Sequence, residues 1–214
     1  VAYQEEVRDP TRVAEVLNRV ITKARRMSAP AQINIPRDLW TQVVDIELPA
    51  IVEFELPSGG TDALAAAAEL LSNAKFPVIL NGAGVVLGAA IPASQALAER
   101  LDAPVCCNYQ HNDAFPGSHP LFAGPLGYNG SKAGMELIQQ ADVVLALGTR
   151  LNPFSTLPGY NLDYWPKDAK LIQVDINPDR IGLTKSVSVG IVGDAKRVAE
   201  QLLEQLADHA GRAG

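Results

Sequence analysis

Apolar and polar positions follow two different rhythms along this chain. Near the start, Val13, Val16, Leu17, Val20, Ile21 and Ala24 recur at helical spacing and predict one amphipathic helix. Asp9 is placed to cap it, with Pro10 at the first helical position. The stretch AQINIP, Ala31 to Pro36, then alternates as a half-buried strand does. From about Val44 to Gly60 the rhythm is lost, and Pro49, Pro57, Ser58, Gly59 and Gly60 supply boundary chemistry. Beyond it, helices at 61–73, 90–101, 131–140 and 195–207 alternate with strands at 78–81, 105–108, 143–147, 171–176 and 187–191. One long irregular stretch, 109–129, interrupts them. The strands beginning at 78, 143 and 171 are nearly continuous apolar runs, as strands covered on both faces are. Alternation of this kind implies right-handed βαβ units and a mostly parallel sheet. The expected fold is therefore α/β, a Rossmann-like three-layer parallel sheet, preceded by a helix and strand left over from another domain.

Composition narrows the function classes. The chain has 214 residues, enough for one well-buried domain with an appendage. A net charge of −6 without any basic run argues against a nucleic-acid partner. The longest apolar run, ALAAAAELL from Ala63 to Leu71, is broken by Glu69, so no membrane span is expected. No basic-then-apolar signal segment is seen, and the expected location is the cytoplasm. Cys106 and Cys107 are neighbours, which suits neither a disulfide framework nor a zinc site with histidines at 111, 119 and 209. They read as small hydrophobes in a buried strand. The chain opens on Val1, which suggests a piece of a longer polypeptide.

Open parallel sheets bind ligands beyond the carboxyl ends of their strands. Those ends carry Asn81-Gly82-Ala83-Gly84, Gly148-Thr149-Arg150, Asp175-Ile176-Asn177-Pro178 and Gly193-Asp194. Together they offer backbone NH groups, carboxylates for ribose hydroxyls and, in Arg150, one cation for a phosphate. Glycine after a strand is equally ordinary turn chemistry, and Asp194 an ordinary helix cap. The dinucleotide fingerprint G-x-G-x-x-G, with an acid about 20 residues later, is not met. The third glycine arrives one place late as Gly88, and the next strand ends in Cys106, Cys107 and Asn108 without a carboxylate. There is no G-x-S-x-G elbow. His111, Asp113, Ser118 and His119 share one polar loop, where acid–base work and a solvent-exposed loop are both open readings.

Taken in order, several stretches resemble a known family. PAQINIPRDLW (30–40), FPVILNGAGV (76–85), ADVVLALGTRLNP (141–153), KLIQVDINPDRIG (170–182) and VGIVGDAKRVAEQL (189–202) are similar to thiamine-diphosphate-dependent enzymes. That family includes acetolactate synthase and pyruvate oxidase and is built from pyrimidine-binding, central and pyrophosphate-binding domains. The resemblance implies that 1–45 is the end of a pyrimidine-binding domain, 46–60 a linker, 61–208 a central domain and 209–214 a tail. It implies a parent acyltransferase using thiamine diphosphate and Mg²⁺, forming homo-oligomers, with the other two domains of the same chain as partners. The activating glutamate and the G-D-G metal motif belong to those domains. Gly193-Asp194-Ala195 lacks the second glycine, so no catalytic and no metal-binding residue is assigned here and the chain alone is expected to be inert. In this family the central domain binds FAD in some members, ADP or coenzyme A in others, and nothing known in others. The carried-over contacts fall at Gly82–Gly84, Gly127–Gly130, Gly148–Arg150, Asp175-Ile176 and Gly193-Asp194. Leu151-Asn152-Pro153-Phe154 stands where acetolactate synthases have F-D-D-R, and Pro153 removes an NH donor. FAD is therefore not expected, and ADP and coenzyme A stay open.

Overall fold

The computed structural model describes residues 1–50 and 55–211. Part of the expected linker (51–54) and part of the expected tail (212–214) lie outside the described residues. The chain divides into two compact units, Val1–Glu55 and Leu56–Gly214.

The first unit is a small βαβ motif. Strand β1 (Tyr3–Glu6) pairs in parallel with β2 (Ala31–Asn34), and helix α1 (Val13–Met27) connects them after a short 3-10 turn at Pro10–Arg12. Asp9 caps that turn, accepting from the Thr11 backbone N at 2.9 Å. Val16 and Val20 face inward with Val7, and Tyr3, Val13, Ile33 and Leu39 pack around them. Leu17 and Ile21, from the same predicted stripe, are exposed. Sequence patterning predicted a helix and one strand here; β1 is additional. Its inner position Glu5 looks polar in sequence but is neutralised in place. Arg19 donates to both Glu5 carboxylate oxygens (2.9 and 2.6 Å), and the Tyr3 hydroxyl donates at 2.6 Å. The Arg19 hydrogen bonds, then that of Tyr3, hold the Glu5 carboxyl down at about 2.

The second unit is the predicted parallel sheet. Strands β3 (Pro77–Asn81), β4 (Val105–Asn108), β5 (Phe122–Leu126), β6 (Val143–Leu147), β7 (Lys170–Asp175) and β8 (Val189–Val192) form six parallel strands in the order β5-β4-β3-β6-β7-β8. The order runs one way from β3 to β5 and the other from β6 to β8, so the direction reverses between β3 and β6. That is the switch point of a doubly wound sheet. Helices α2 (Thr61–Asn73), α4 (Ile91–Leu101) and α6 (Ala195–Gln205) cover one face, where Leu64, Leu71, Leu97 and Leu202 meet Ile79, Leu145 and Val174. The opposite face carries α5 (Lys132–Ile138) and the irregular segment after β6, where Met135, Ile138, Leu151 and Tyr164 meet Val78, Leu80 and Val144. Successive residues of β3 thus point into two different cores, which is why the strand is apolar without alternation. A short helix, α3 (Ala83–Leu87), follows β3 directly.

Strand β5 was not expected, because FAGPL contains Gly124, at φ +100°, and Pro125. It lies at the sheet's edge with a register irregularity against β4 at Val105/Cys106, where proline costs no ladder bond. At the opposite edge, Ser58 bridges Gly193 and the Asp194 N donates to Pro57 O at 2.8 Å. The end of the stretch expected as linker is therefore fastened to the strand end after β8. Among the described residues, no helix is long and apolar enough to cross a membrane.

Cys106 and Cys107 are buried on β4, as their sequence context suggested. Burial pushes the Cys107 thiol up to about 12 and raises Cys106 further still. We expect both thiols to stay unreacted toward a disulfide reagent at pH 8 in the folded chain and both to react once it is denatured. Labelling of the native protein at the rate of an exposed thiol would contradict their burial.

Candidate functional site

Six parallel strands leave their loops converging at one edge of the sheet. At the switch point, β3 and β6 end side by side, and the glycines there let two backbones approach each other. The Gly82 N donates to Leu147 O (3.0 Å), the Gly84 N to Gly148 O (2.8 Å) and the Val85 N to Gly82 O (3.1 Å). A Cβ on Gly82 would stand 2.5 Å from the Thr149 Cβ, and one on Gly84 would stand 2.7 Å from the Gly148 Cα. Gly88, the displaced third glycine, has its own reason: a Cβ there would lie 2.8 Å from the Asp194 carboxylate. The turn that resembles a phosphate loop thus directs its NH groups at Gly82, Gly84 and Val85 into the fold. Ala83 begins a helix of only five residues.

The other sequence-predicted residues are placed as follows. Gly148 adopts φ +61°, and Thr149 beneath it is 2% exposed. The Thr149 Oγ1 accepts from Asn108 Nδ2 (2.8 Å) and from the Leu151 N (3.1 Å). Asn108 is 6% exposed, and its Oδ1 has no hydrogen-bond partner. Asp175 is buried at the end of β7 and accepts from the Asn177 N at 2.9 Å. Burial raises its pKa, while that hydrogen bond and the charges of Arg180 and Arg150 work against the rise. Ile176 is half-buried beside it. Gly193 donates to Asp175 O, and the Asp194 Oδ1 caps α6 by accepting from the Lys196 and Arg197 backbone N atoms. Glycine at 193 is needed on packing grounds, since a Cβ would stand 2.5 Å from a Val198 methyl.

Of these residues, Arg150 lines an open cavity. A pocket of about 390 Å³ lies beyond the ends of β4, β6 and β7, with the exposed Arg150 side chain in its wall. Gln110 and Asn152 line it as well, together with Tyr109, Phe154 and Leu183. Sequence reading missed Gln110 and Asn152. Their signal was there, as polar residues two positions beyond the stretches ending in Asn108 and Arg150 that were read for glycine and acid.

The histidine loop does other work. The His119 Nε2 faces the Glu99 carboxylate of α4 at 3.1 Å, its Nδ1 accepts from the Leu121 N at 3.2 Å, and its ring sits edge-on to Phe115. His119 therefore ties the loop to a helix. His111 lies 3.8 Å from Asp113 at the surface. Among the described residues, no three His, Cys, Asp or Glu side chains gather as they would around a metal ion.

Comparison with known proteins adds the following. Residues 64–202 match the family described as thiamine pyrophosphate enzyme, central domain. A sulfoacetaldehyde acetyltransferase of Roseovarius nubinhibens is 78% identical over 213 residues, covering 100% of this chain and 35% of that protein. A probable acetolactate synthase large subunit of Methanocaldococcus jannaschii is 35% identical over 184 residues, covering 83% of this chain and 31% of that protein. The crystal structure of benzoylformate decarboxylase from Polynucleobacter necessarius superposes with a TM-score of 0.81 at 24% identity, covering 96% of this chain and 38% of that one, and this likeness concerns the fold alone. The chain spans about a third of the length of the curated relatives it matches.

Proposed function

The chain belongs to the thiamine pyrophosphate enzymes, whose central domain it contains, and from that premise we propose that it is the non-catalytic central part of a sulfoacetaldehyde acetyltransferase. The observation that carries the choice within the family is the 78% identity over the whole chain to a protein of that name, against 35% to an acetolactate synthase relative. The proposed parent reaction joins sulfoacetaldehyde and phosphate to give acetyl phosphate and sulfite, a step in taurine and sulfonate degradation. Thiamine diphosphate, held with Mg²⁺ by the pyrimidine- and pyrophosphate-binding domains of the same polypeptide, supplies the carbanion chemistry.

The residues of this chain do a different task. The parallel sheet and its two cores hold the carboxyl-edge loops as a rigid frame against which the catalytic domains can be placed. The turn amides at Gly82, Gly84 and Val85 are bonded within the fold, so those three do not serve a nucleotide's phosphates. FAD is not proposed as a cofactor, while ADP or coenzyme A remains open as a ligand of the crevice. We propose a homo-oligomeric parent in the cytoplasm, a location in keeping with two unpaired, buried thiols.

The test compares the longer polypeptide with this chain as control. Acetyl phosphate is assayed from sulfoacetaldehyde, phosphate, Mg²⁺ and thiamine diphosphate. We expect product from the longer polypeptide and none above background from this chain. Consumption of pyruvate in place of sulfoacetaldehyde would keep the family and overturn the substrate. Turnover by this chain alone would overturn the non-catalytic role.

A further inference from the structure

The pocket beyond β4, β6 and β7 has a one-sided chemistry. Arg150, an exposed lining residue, has no ion-pair partner among the described residues. Asn152 contributes a side-chain amide whose orientation is fixed. Its Oδ1 accepts from the Ser155 N at 3.0 Å, capping the 3-10 turn Pro153–Thr156, and this leaves Nδ2 as a donor for other partners. Gln110, a second amide-bearing residue, lines the pocket from the loop after β4. The Thr184 hydroxyl is committed to Leu151 O at 2.8 Å, which fastens the loop after β7 to the loop after β6. Among the described residues that line the cavity there is no carboxylate; Asp175, whose charge interacts with that of Arg150, is buried and accepts from the Asn177 N. The apolar walls are unusually open, with Phe154 60% and Leu183 71% exposed.

We propose that this pocket is a binding site for a small organic oxyanion, a sulfonate or phosphate group on a short apolar body. The Arg150 guanidinium meets the charge, the Asn152 and Gln110 amides donate from two other loops, and Phe154 and Leu183 cover the carbon body. Guanidinium and amide donors converging from separate loops suit a head with several acceptor oxygens. The absence of a wall carboxylate, and the switch-point amides bonded within the fold, separate this site from one for a nucleoside, which needs an acceptor for ribose hydroxyls. The site goes beyond the proposed function: it requires only this chain and no catalytic domain. Its failure would therefore leave the acetyltransferase reading standing.

The test uses the chain itself, titrated with ethanesulfonate, ethyl phosphate, acetate and ADP while side-chain amide and arginine Nε–H resonances are followed by NMR. We expect ethanesulfonate and ethyl phosphate to shift the Arg150, Asn152 and Gln110 side-chain signals with saturation. Asn152→Asp keeps an oxygen for the Ser155 cap but replaces the donor with a repelling carboxylate. It should weaken binding at least tenfold while the amide spectrum elsewhere stays folded. Arg150→Gln should weaken it to a similar degree. Three outcomes would overturn the proposal: no saturable shift with either oxyanion, binding untouched by Asn152→Asp, or saturation by ADP alone. Acetate binding as tightly as the two tetrahedral anions would overturn the assignment to sulfonate and phosphate.

Discussion

Gly148→Ala should lower the stability of the second unit by about 3–5 kcal/mol, near the top of what single substitutions do. Two costs add. Gly148 sits at φ +61°, where a side chain with a Cβ is strained by roughly 1–2 kcal/mol. A Cβ there would also stand 2.7 Å from the Gly84 Cα and 2.9 Å from the Gly84 carbonyl carbon and the Val85 N, none of which can rotate away. Relief requires β3 and β6 to separate at their ends, which stretches the Gly84 N to Gly148 O hydrogen bond. Gly182→Ala is the matched control. It has φ +73° but open space around its Cβ, so the conformational cost remains without the collision, and about 1 kcal/mol should be lost. Denaturant midpoints of both variants settle the matter. Equal losses in the two would show that the β3 and β6 turns are not pressed together.

Asn81→Ala is expected to cost about 2–5 kcal/mol through a different mechanism. The Asn81 side chain, fully buried at the end of β3, donates from Nδ2 to Ser94 Oγ at 2.8 Å and to Ala114 O at 3.0 Å, and its Oδ1 lies 3.1 Å from the same Ser94 hydroxyl. One amide therefore joins β3, helix α4 and the loop after β4. Truncation leaves a hydroxyl and a carbonyl buried without partners, and that penalty exceeds the net gain of the bonds themselves. Ser94→Ala removes one of the orphans. The double variant Asn81→Ala/Ser94→Ala should thus lose less than the sum of the singles, by at least about 0.5 kcal/mol. Strict additivity would mean that the two side chains do not form a coupled pair.

What the sequence disclosed depended on whether local chemistry announced the tertiary partner. Strands β3, β6 and β7 were legible because burial on both faces demands uninterrupted apolar residues, and α2 because Gly60 and Ala74 bracket a run of strong helix formers. Strand β1 was illegible because Glu5 is made compatible with a strand's inner face only by Arg19, fourteen residues away. Strand β5 hid behind Gly124 and Pro125, which only an edge position tolerates. At the site, the ordering of strand ends could be read, and Arg150 with it. That Gly82, Gly84 and Gly148 serve backbone-to-backbone contact could not be read, because glycine beside a ligand and glycine beside another loop look identical in sequence. Gln110 and Asn152 come to line one pocket only because β4 and β6 lie on either side of β3, and no linear spacing announces that.

The position of β3 at the middle of the sheet has a consequence for how the chain is born. Its partner β4 arrives soon after it, but its other neighbour, β6, begins at Val143, 62 residues after β3 ends at Asn81. At about 5–20 residues per second, a ribosome needs roughly 3–12 s to make that interval. Throughout it, the nascent sheet ends in the unpaired apolar edge of Val78, Ile79 and Leu80, a template for the same strand of a neighbouring nascent chain. The feature that gives the finished domain its switch point also sets the seconds in which crowded polysomes are most exposed to aggregation.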